Sequence, residues 1–270
     1  MNVKNYASEL LAQIRTRGPL VHNITNFVVM NSSANILLAL GAAPVMAHSI
    51  REVEDMTSIA DALVLNIGTI QENWIQPMIL AAKKANERGV PVVLDPVGSG
   101  ATAFRTETVK RIMSEAKISI LRGNASEVFS LDSEGVKTRG VDSSLALNEA
   151  VSNAARNMAS REGCVIAISG AEDFITDGTR EYRVRNGHPL MTRVTGLGCG
   201  LSAVVGAFCA VGKGDMTAST AAAFGVYGLC GEIAVKISDK PAGFQNAFID
   251  TLYSVDDKDI QAGLRVAEKI

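Results

Sequence analysis

The chain lacks most of the marks by which a sequence declares a secreted, zinc-binding, nucleic-acid-binding or membrane protein. It has four cysteines, at 164, 199, 209 and 230, with no CxxC pair and no short spacing between them. That pattern supports neither a zinc site nor a disulfide framework, and it predicts a reduced, cytoplasmic protein. His22, His48 and His188 are scattered without HExxH spacing, so a histidine metal site is not expected. Charge of neither sign prevails, with 26 Lys and Arg against 28 Asp and Glu. No electrostatic footprint for nucleic acid or an anionic membrane follows from that balance. Aromatic residues make up only 5% of the chain, which leaves aliphatics and alanine to fill the core. The stretch 194–212 carries no charge, but it holds five glycines, and the single Trp of the chain forms no aromatic belt. A buried helix is the better reading of it than a membrane span.

What is present reads as one globular α/β domain spanning residues 1–270. The chain is 47% hydrophobic and 20% charged, with no Pro-, Gly- or Ser-rich linker, no charge block and no internal repeat. The segment 1–18 predicts an amphipathic helix rather than a signal peptide. From residue 43 onward short apolar runs alternate with helical patterns. The expected strands are Ala43–Ala47, Ala62–Ile67, Val90–Asp95, Ile118–Arg122 and Cys164–Ser169, and their unbroken apolarity suits strands covered on both faces. Helices are expected at Phe27–Leu40, Glu72–Glu87, Thr106–Ala116 and Ser143–Arg161. Such alternation implies a mostly parallel sheet with right-handed crossovers. Asp177-Gly178, between Phe174–Thr176 and Arg180–Arg185, signals a hairpin that adds antiparallel strands at one edge. From Cys199 to the end the pattern is helical.

Ligands of an open α/β sheet bind beyond the carboxyl ends of its strands. Those ends here carry Met46 and His48, Asn66 and Gly68, Asp95, Arg122 with Asn124, and Ser169 with Gly170. Asp95, Asn124 and Ser169 could singly be helix caps; as a set they point to a site. The sharpest local feature is Thr195-Gly196-Leu197-Gly198-Cys199-Gly200, directly before an apolar helix beginning at Leu201. Glycines here let Gly196, Gly198, Cys199 and Gly200 direct N–H groups at one point, an anion hole suited to phosphate. The plainer reading is a turn that permits close helix packing. It is not GxxxxGK[ST], which excludes a P-loop ATPase.

A rival motif, Gly98-Ser99-Gly100-Ala101-Thr102-Ala103, fits G-x-G-x-x-A after a strand and resembles a dinucleotide fingerprint, which would make the protein an NAD-dependent oxidoreductase. Asp95 just before it would repel a naked pyrophosphate. A divalent cation between carboxylate and phosphate removes that conflict, with Arg122 and the Asn124…Glu127 pair as further nucleotide and metal contacts. Alternatively Glu127 sits in the first turn of a short helix for dipole reasons alone. His22-Asn23-Ile24-Thr25-Asn26 could hold a small polar ligand or serve as turn and cap residues.

In this order the 22–26 cluster, Ala43-Pro44-Val45-Met46, Leu65-Asn66-Ile67-Gly68-Thr69, Asp95-Pro96-Val97-Gly98, Arg122-Gly123-Asn124-Ala125-Ser126-Glu127 and the 195–200 turn resemble the hydroxyethylthiazole kinase family of the ribokinase-like superfamily. The resemblance runs from about residue 8 to about residue 265. It implies a three-layer α/β/α sandwich without a lid, and transfer of the γ-phosphoryl of ATP to the alcohol of 4-methyl-5-(2-hydroxyethyl)thiazole with Mg²⁺ in thiamine salvage. It also implies a homotrimer with sites at subunit boundaries. By position Asn26, Met46, Gly68 and Gly196 would hold the thiazole. Arg122, Ser169 and Asn124 would contact ATP, Asp95 and Glu127 would act near Mg²⁺, and the 195–200 turn would hold the phosphoryl group. Cys199 stands where ribokinase relatives place a catalytic Asp. Leu197 and Gly200 depart from the family pattern, in which a Thr and an apolar residue are usual. A helix amino terminus favours a thiolate at Cys199 and neighbouring phosphates oppose it, so the expectation is that Cys199 orients the alcohol and is at most a weak base. A non-catalytic thiazole- or nucleotide-binding protein is the remaining alternative.

Overall fold

The computed structural model describes residues 2–132, 149–212 and 214–269. Among these, nine strands form one sheet. In chain order they are β1 (Leu20–Ile24), β2 (Ala43–Val45), β3 (Ala62–Asn66), β4 (Val92–Asp95), β5 (Ile120–Asn124), β6 (Val165–Ser169), β7 (Asp173–Thr176), β8 (Glu181–Val184) and β9 (Val266–Lys269). Their spatial order is β2-β1-β3-β4-β5-β6-β7-β8-β9, parallel from β2 to β6 and antiparallel from β6 to β9. The expected architecture is the observed one, a mostly parallel sheet with antiparallel strands at one edge.

The apolar runs are two-faced because successive side chains point to opposite sides of a strand. Ala62 and Val64 join a core with α1 (Val3–Arg17), α2 (Met30–Leu40), α8 (Leu197–Val211), α9 (Met216–Ile237) and α10 (Pro241–Ser254). Leu63 and Leu65 join a second core with α4 (Glu72–Arg88), α5 (Ala103–Glu115) and α7 (Glu149–Glu162) on the other face. Three layers result. Helix α9 is long and apolar enough to cross a membrane by length and composition, but it is mostly buried inside the fold, as is α8.

Several boundaries differ from the sequence reading for identifiable reasons. Strand β4 starts after Pro91, which has no N–H to donate to the ladder. Helix α5 starts at Ala103 because the Thr102 hydroxyl caps it by accepting from Arg105 N. Strand β1 carries His22 and Asn23 in its interior, which masked it, and α3 (Val53–Ile59) is only seven residues long. The expectation of helix to the chain end fails at β9, whose side chains alternate between half-buried and exposed as an edge strand requires. Of the helix expected at Ser143–Arg161, the part before Glu149 lies outside the described residues, and the rest forms α7. The hairpin expectation holds, with Gly178 at φ +95° between β7 and β8.

Strand order reverses at β1, since β2 lies on one side of it and β3 on the other. The crevice beyond the carboxyl ends of β1 and β3 is therefore the place where an open α/β sheet holds ligands.

Candidate active site

A continuous run of polar contacts crosses that crevice and the neighbouring strand ends. Beyond β1, Asn26 Nδ2 donates to Asn66 Oδ1 at 2.8 Å. Asn66, last in β3, pairs in register with Asp95, last in β4, and its Nδ2 donates to Asp95 Oδ2 at 2.8 Å. Ser202 of α8 donates to the same oxygen at 2.7 Å, and Arg122 Nη1 of β5 lies 3.7 Å from it. Arg122 then forks, Nη1 to the Gly198 carbonyl at 2.9 Å and Nη2 to Ser169 Oγ at the end of β6 at 2.5 Å. The carboxyl ends of five adjacent strands, β1, β3, β4, β5 and β6, and one helix start are thus tied together.

Helix α8 begins four residues earlier than expected. Gly196 is its N-cap at φ +86°, and Leu197, Gly198 and Cys199 are its first three residues. Their N–H groups are those an α-helix leaves without an intrahelical partner, which makes this end attractive to an anion. A side chain at Gly196 would meet Ser32 Oγ and Val29 Cγ1, each 3.0 Å from its Cβ, so the close approach needs glycine. Gly200 does not belong to the anion hole. Its N–H already donates to Gly196 O at 2.8 Å, and a Cβ there would stand 2.5 Å from Ile36 Cδ1. At that one position the packing reading was right.

Cys199 Sγ accepts from Asn26 Nδ2 at 3.5 Å. Burial, with the Asp95 carboxylate adding to it, pushes the thiol up to about 11 against the pull of Asn66, Arg122 and Asn26. A helix amino terminus contributes about 0.3–1 kcal/mol to a nearby negative charge. Here burial outweighs it, so the thiol stays protonated at neutral pH and the expected pull toward thiolate does not prevail.

Asp95 is 1% exposed, and burial raises its carboxyl to about 6 although Arg122 and Ser202 oppose the rise. Both hydrogen bonds fall on Oδ2, which leaves Oδ1 uncommitted among the described residues. Glu127 is differently occupied. Its Oε2 accepts from Asn124 N and its Oε1 from Gly98 N, each at 2.9 Å, in a capping box that starts α6 (Ala125–Phe129). Asn124 Oδ1 likewise accepts from Glu127 N and Ser126 Oγ. The capping reading of Asn124 and Glu127 is therefore realised. Among the described residues no three His, Cys, Asp or Glu side chains form a metal cluster. One free carboxylate oxygen fits Mg²⁺ that keeps its waters and arrives with phosphates, the usual habit of this ion.

On the α9 side lies a cavity of about 720 Å³, walled by Arg122, Ser169, Asp173, Leu197, Gly198 and Phe224 among others. That volume is in the range of cofactor and nucleotide pockets. Asp173, which sequence reasoning passed over, accepts from Gly170 N at 2.9 Å, and burial lifts its carboxyl to about 7. Its signal was its position directly before the expected strand Phe174–Thr176, too weak to read alone. On the opposite side, Met46 is half-buried beyond β2. A Cβ at Gly68 would stand 2.6 Å from Asn26 Nδ2, so Gly68 lets the Asn26 amide lie against the main chain. His22 is fully buried, bonded to Thr57 Oγ1 and the Ala47 carbonyl, and so is structural.

In the rival turn at 98–103 the first four amides, including those of both glycines, are engaged within the chain. Gly98 N donates to Glu127, Ser99 N to Pro96 O, Gly100 N to Thr106 Oγ1 and Ala101 N to Gly98 O. The glycines therefore do not present their N–H groups to a ligand, which removes the ground on which the dinucleotide reading stood.

Sheet order, switch-point crevice and anion-attracting helix start define a phosphotransferase of the ribokinase-like fold. Residues 11–258 match the Hydroxyethylthiazole kinase family. The chain belongs to that family, whose members phosphorylate hydroxyethylthiazole in thiamine salvage. Hydroxyethylthiazole kinase of Desulfotalea psychrophila is 50% identical over 268 residues, 99% of this chain and 97% of that protein. The structure of hydroxyethylthiazole kinase from Pyrococcus horikoshii OT3 superposes with a TM-score of 0.90 at 41% identity, covering 98% of this chain and 100% of that one. Staphylococcus aureus pyridoxal kinase in complex with ADP shares the fold at a TM-score of 0.62 and 16% identity, covering 93% and 99%.

Proposed function

We propose that this chain joins the thiazole alcohol and ATP at the start of α8, with the alcohol on the Asn26–Gly68 side and the nucleotide on the Ser169 side. The observation that carries this reading is the position of Cys199, three residues into α8 and bonded to Asn26. Asn26, Met46, Gly68 and Gly196 border the alcohol. The 720 Å³ cavity takes the nucleotide, with Arg122 and Ser169 at its phosphate end.

Phosphoryl transfer passes through a loose transition state in which charge spreads over the moving group, so alignment and charge stabilisation contribute most. The N–H groups of Leu197, Gly198 and Cys199 face that group, and the Arg122 guanidinium beside them adds a full positive charge. Cys199 holds the alcohol with a neutral thiol; the alcohol proton leaves late, so no strong base is required. Mg²⁺, when bound with the phosphates, supplies charge neutralisation of the developing oxyanions. Asp95 Oδ1 would contact the ion or its water, and Glu127 would act through the main chain that it fixes.

A homotrimer with sites at subunit boundaries fits the apolar residues flanking the alcohol side. Phe27 is 56% exposed, Val28 62% and Ile50 54%. Burying such side chains on a partner is favourable at about 25 cal/mol per Å². Four unpaired cysteines, three of them buried, suit the cytoplasm.

The experiment is ATP consumption by purified protein with and without thiazole alcohol, alongside thermal shifts with MgATP and with NAD. Thiazole-dependent ADP release and a MgATP shift support the reading. ADP release indifferent to the alcohol, or a shift with NAD alone, contradicts it.

A further inference from the structure

Arg105 lies in the first turn of α5, outside the polar run just described, and its guanidinium joins two loops that carry the two halves of that site. Nη1 donates to Val97 O at 2.7 Å and to Ile67 O at 3.0 Å, while Nη2 donates to Gly68 O at 2.7 Å. Ile67 and Gly68 follow β3 and border the alcohol side. Val97 follows Asp95 and Pro96 at the acidic end of β4. Arg105 forms no ion pair among the described residues, and three of the four N–H donors on Nη1 and Nη2 go to main-chain carbonyls. A side chain doing only local helix work would not reach back across two loops to do so.

The loop after β4 is shaped to receive it. Gly98 has φ +73°, and a Cβ there would stand 3.1 Å from Arg105 Nη1 and 3.2 Å from its Cδ. The same Gly98 donates its N–H to Glu127. The loop is thus gripped at Val97 O by a cation and at Gly98 N by a carboxylate. On the other side, Gly68 N donates to Asn66 Oδ1, the atom that also receives Asn26 Nδ2. Moving Gly68 moves Asn66, and Asn66 holds Asp95.

We infer that Arg105 is a positioning residue that sets the spacing between the alcohol pocket at Gly68 and the acidic strand end at Asp95–Gly98. It touches neither substrate. Its planar fork is what the task requires, because three carbonyls on two loops need several directed donors, whereas a lysine ammonium is a compact point charge on a flexible stem. A misplacement of about 1 Å in such an alignment costs about a hundredfold in rate. The inference rests on the reading of the site given above.

The test compares wild type with Arg105→Ala, Arg105→Lys and a control, Arg111→Ala, which removes an exposed arginine of the same helix paired with Glu115. Steady-state kinetics in both substrates are combined with amide hydrogen exchange. Arg105→Ala is expected to lower kcat about thirtyfold and raise KM for the thiazole alcohol about tenfold, with KM for ATP within twofold, in line with that sensitivity to alignment. Exchange is expected to quicken in 67–69 and 97–98 together while β3 and β4 stay protected. Arg105→Lys, which covers the case of an Ala variant that does not fold, is expected to fall between, and Arg111→Ala to match wild type. A purely structural role would lower kcat with both KM values unchanged, and that result overturns the inference. So does an Arg105→Lys enzyme within threefold of wild type in every constant. Wild type with no thiazole-dependent turnover would instead overturn the site reading itself, and the inference with it.

Discussion

Arg122 Nη1 and the Gly198 carbonyl oxygen lie 2.9 Å apart, so a guanidinium carried by β5 is bonded to the first turn of α8. Its Nη2 holds Ser169, and its Cζ lies over the Phe224 ring, 5.9 Å from the centroid. The charge is therefore fixed in direction before any phosphate arrives, which is the arrangement that stabilises a transition state without reorganisation. Arg122→Lys keeps the charge and loses the fork. Turnover is expected to fall about a hundredfold, in line with the loss of one preorganised donor. Steady-state assays at saturating ATP check it, and a loss under threefold would show that charge alone suffices.

Cys199 yields the second prediction. A thiol raised to about 11 is neutral through the physiological range. Cys199→Ser should keep turnover within about tenfold, since a hydroxyl also accepts from Asn26 and general-base help is worth roughly 10²–10⁴ only where it operates. Alkylation of Cys199 by iodoacetamide should climb with pH without levelling off below pH 10. A plateau near neutral pH would mean a thiolate.

Two glycines separate binding from folding. A methyl at Gly68 displaces the Asn26 amide, so Gly68→Ala is expected to raise KM for the alcohol about tenfold with little change in melting temperature. A methyl at Gly200 strikes Ile36 Cδ1 at 2.5 Å and Tyr227 Oη at 2.9 Å inside the core. Gly200→Ala should cost about 1–3 kcal/mol, the usual range for overpacking. Urea unfolding and kinetics on both variants distinguish the two effects.

Asp173 gives a pH signature. Burial lifts its carboxyl from the ordinary value near 4 to about 7, so the folded chain keeps a proton that the unfolded chain has released. Its contribution to stability is full below about pH 4 and is lost as pH rises through about 7. Asp95, raised to about 6, acts in the same direction. Asp173→Asn should flatten part of the decline and be more stable than wild type at pH 8, by an amount that shrinks toward pH 4. Parallel urea midpoints across that range would contradict the assignment.

The buried strands were legible because Ala62–Asn66 or Val165–Ser169 cannot be anything but covered on both faces. Strand β1 was not, because His22 and Asn23 break its apolar run, and the partners of His22, Thr57 and Ala47, are remote in sequence. Strand β9 has four residues, none of them fully buried, too little for a period to register. At the site, Asp95, Arg122, Ser169 and Cys199 could be picked out as strand-end or helix-start chemistry. The bond from Asn26 to Asn66 spans 40 residues and only exists once β1 and β3 pair. Arg105 and Asp173 were invisible for the same reason: each acts on main-chain atoms, and no side-chain pattern announces that. Asn124 and Glu127 stayed ambiguous because N-cap pairs and metal contacts favour the same residue types.

In the proposed division of the site Asp95 serves the phosphoryl group and its cation while Asn26 and Gly68 serve the alcohol. A quench-flow single turnover of Asp95→Asn, titrated with thiazole alcohol at saturating MgATP, reads rate and alcohol affinity in one experiment. The rate is expected to lie at least about a hundredfold below wild type, with the apparent Kd for the alcohol within threefold. An unchanged rate with lost alcohol binding would contradict that division.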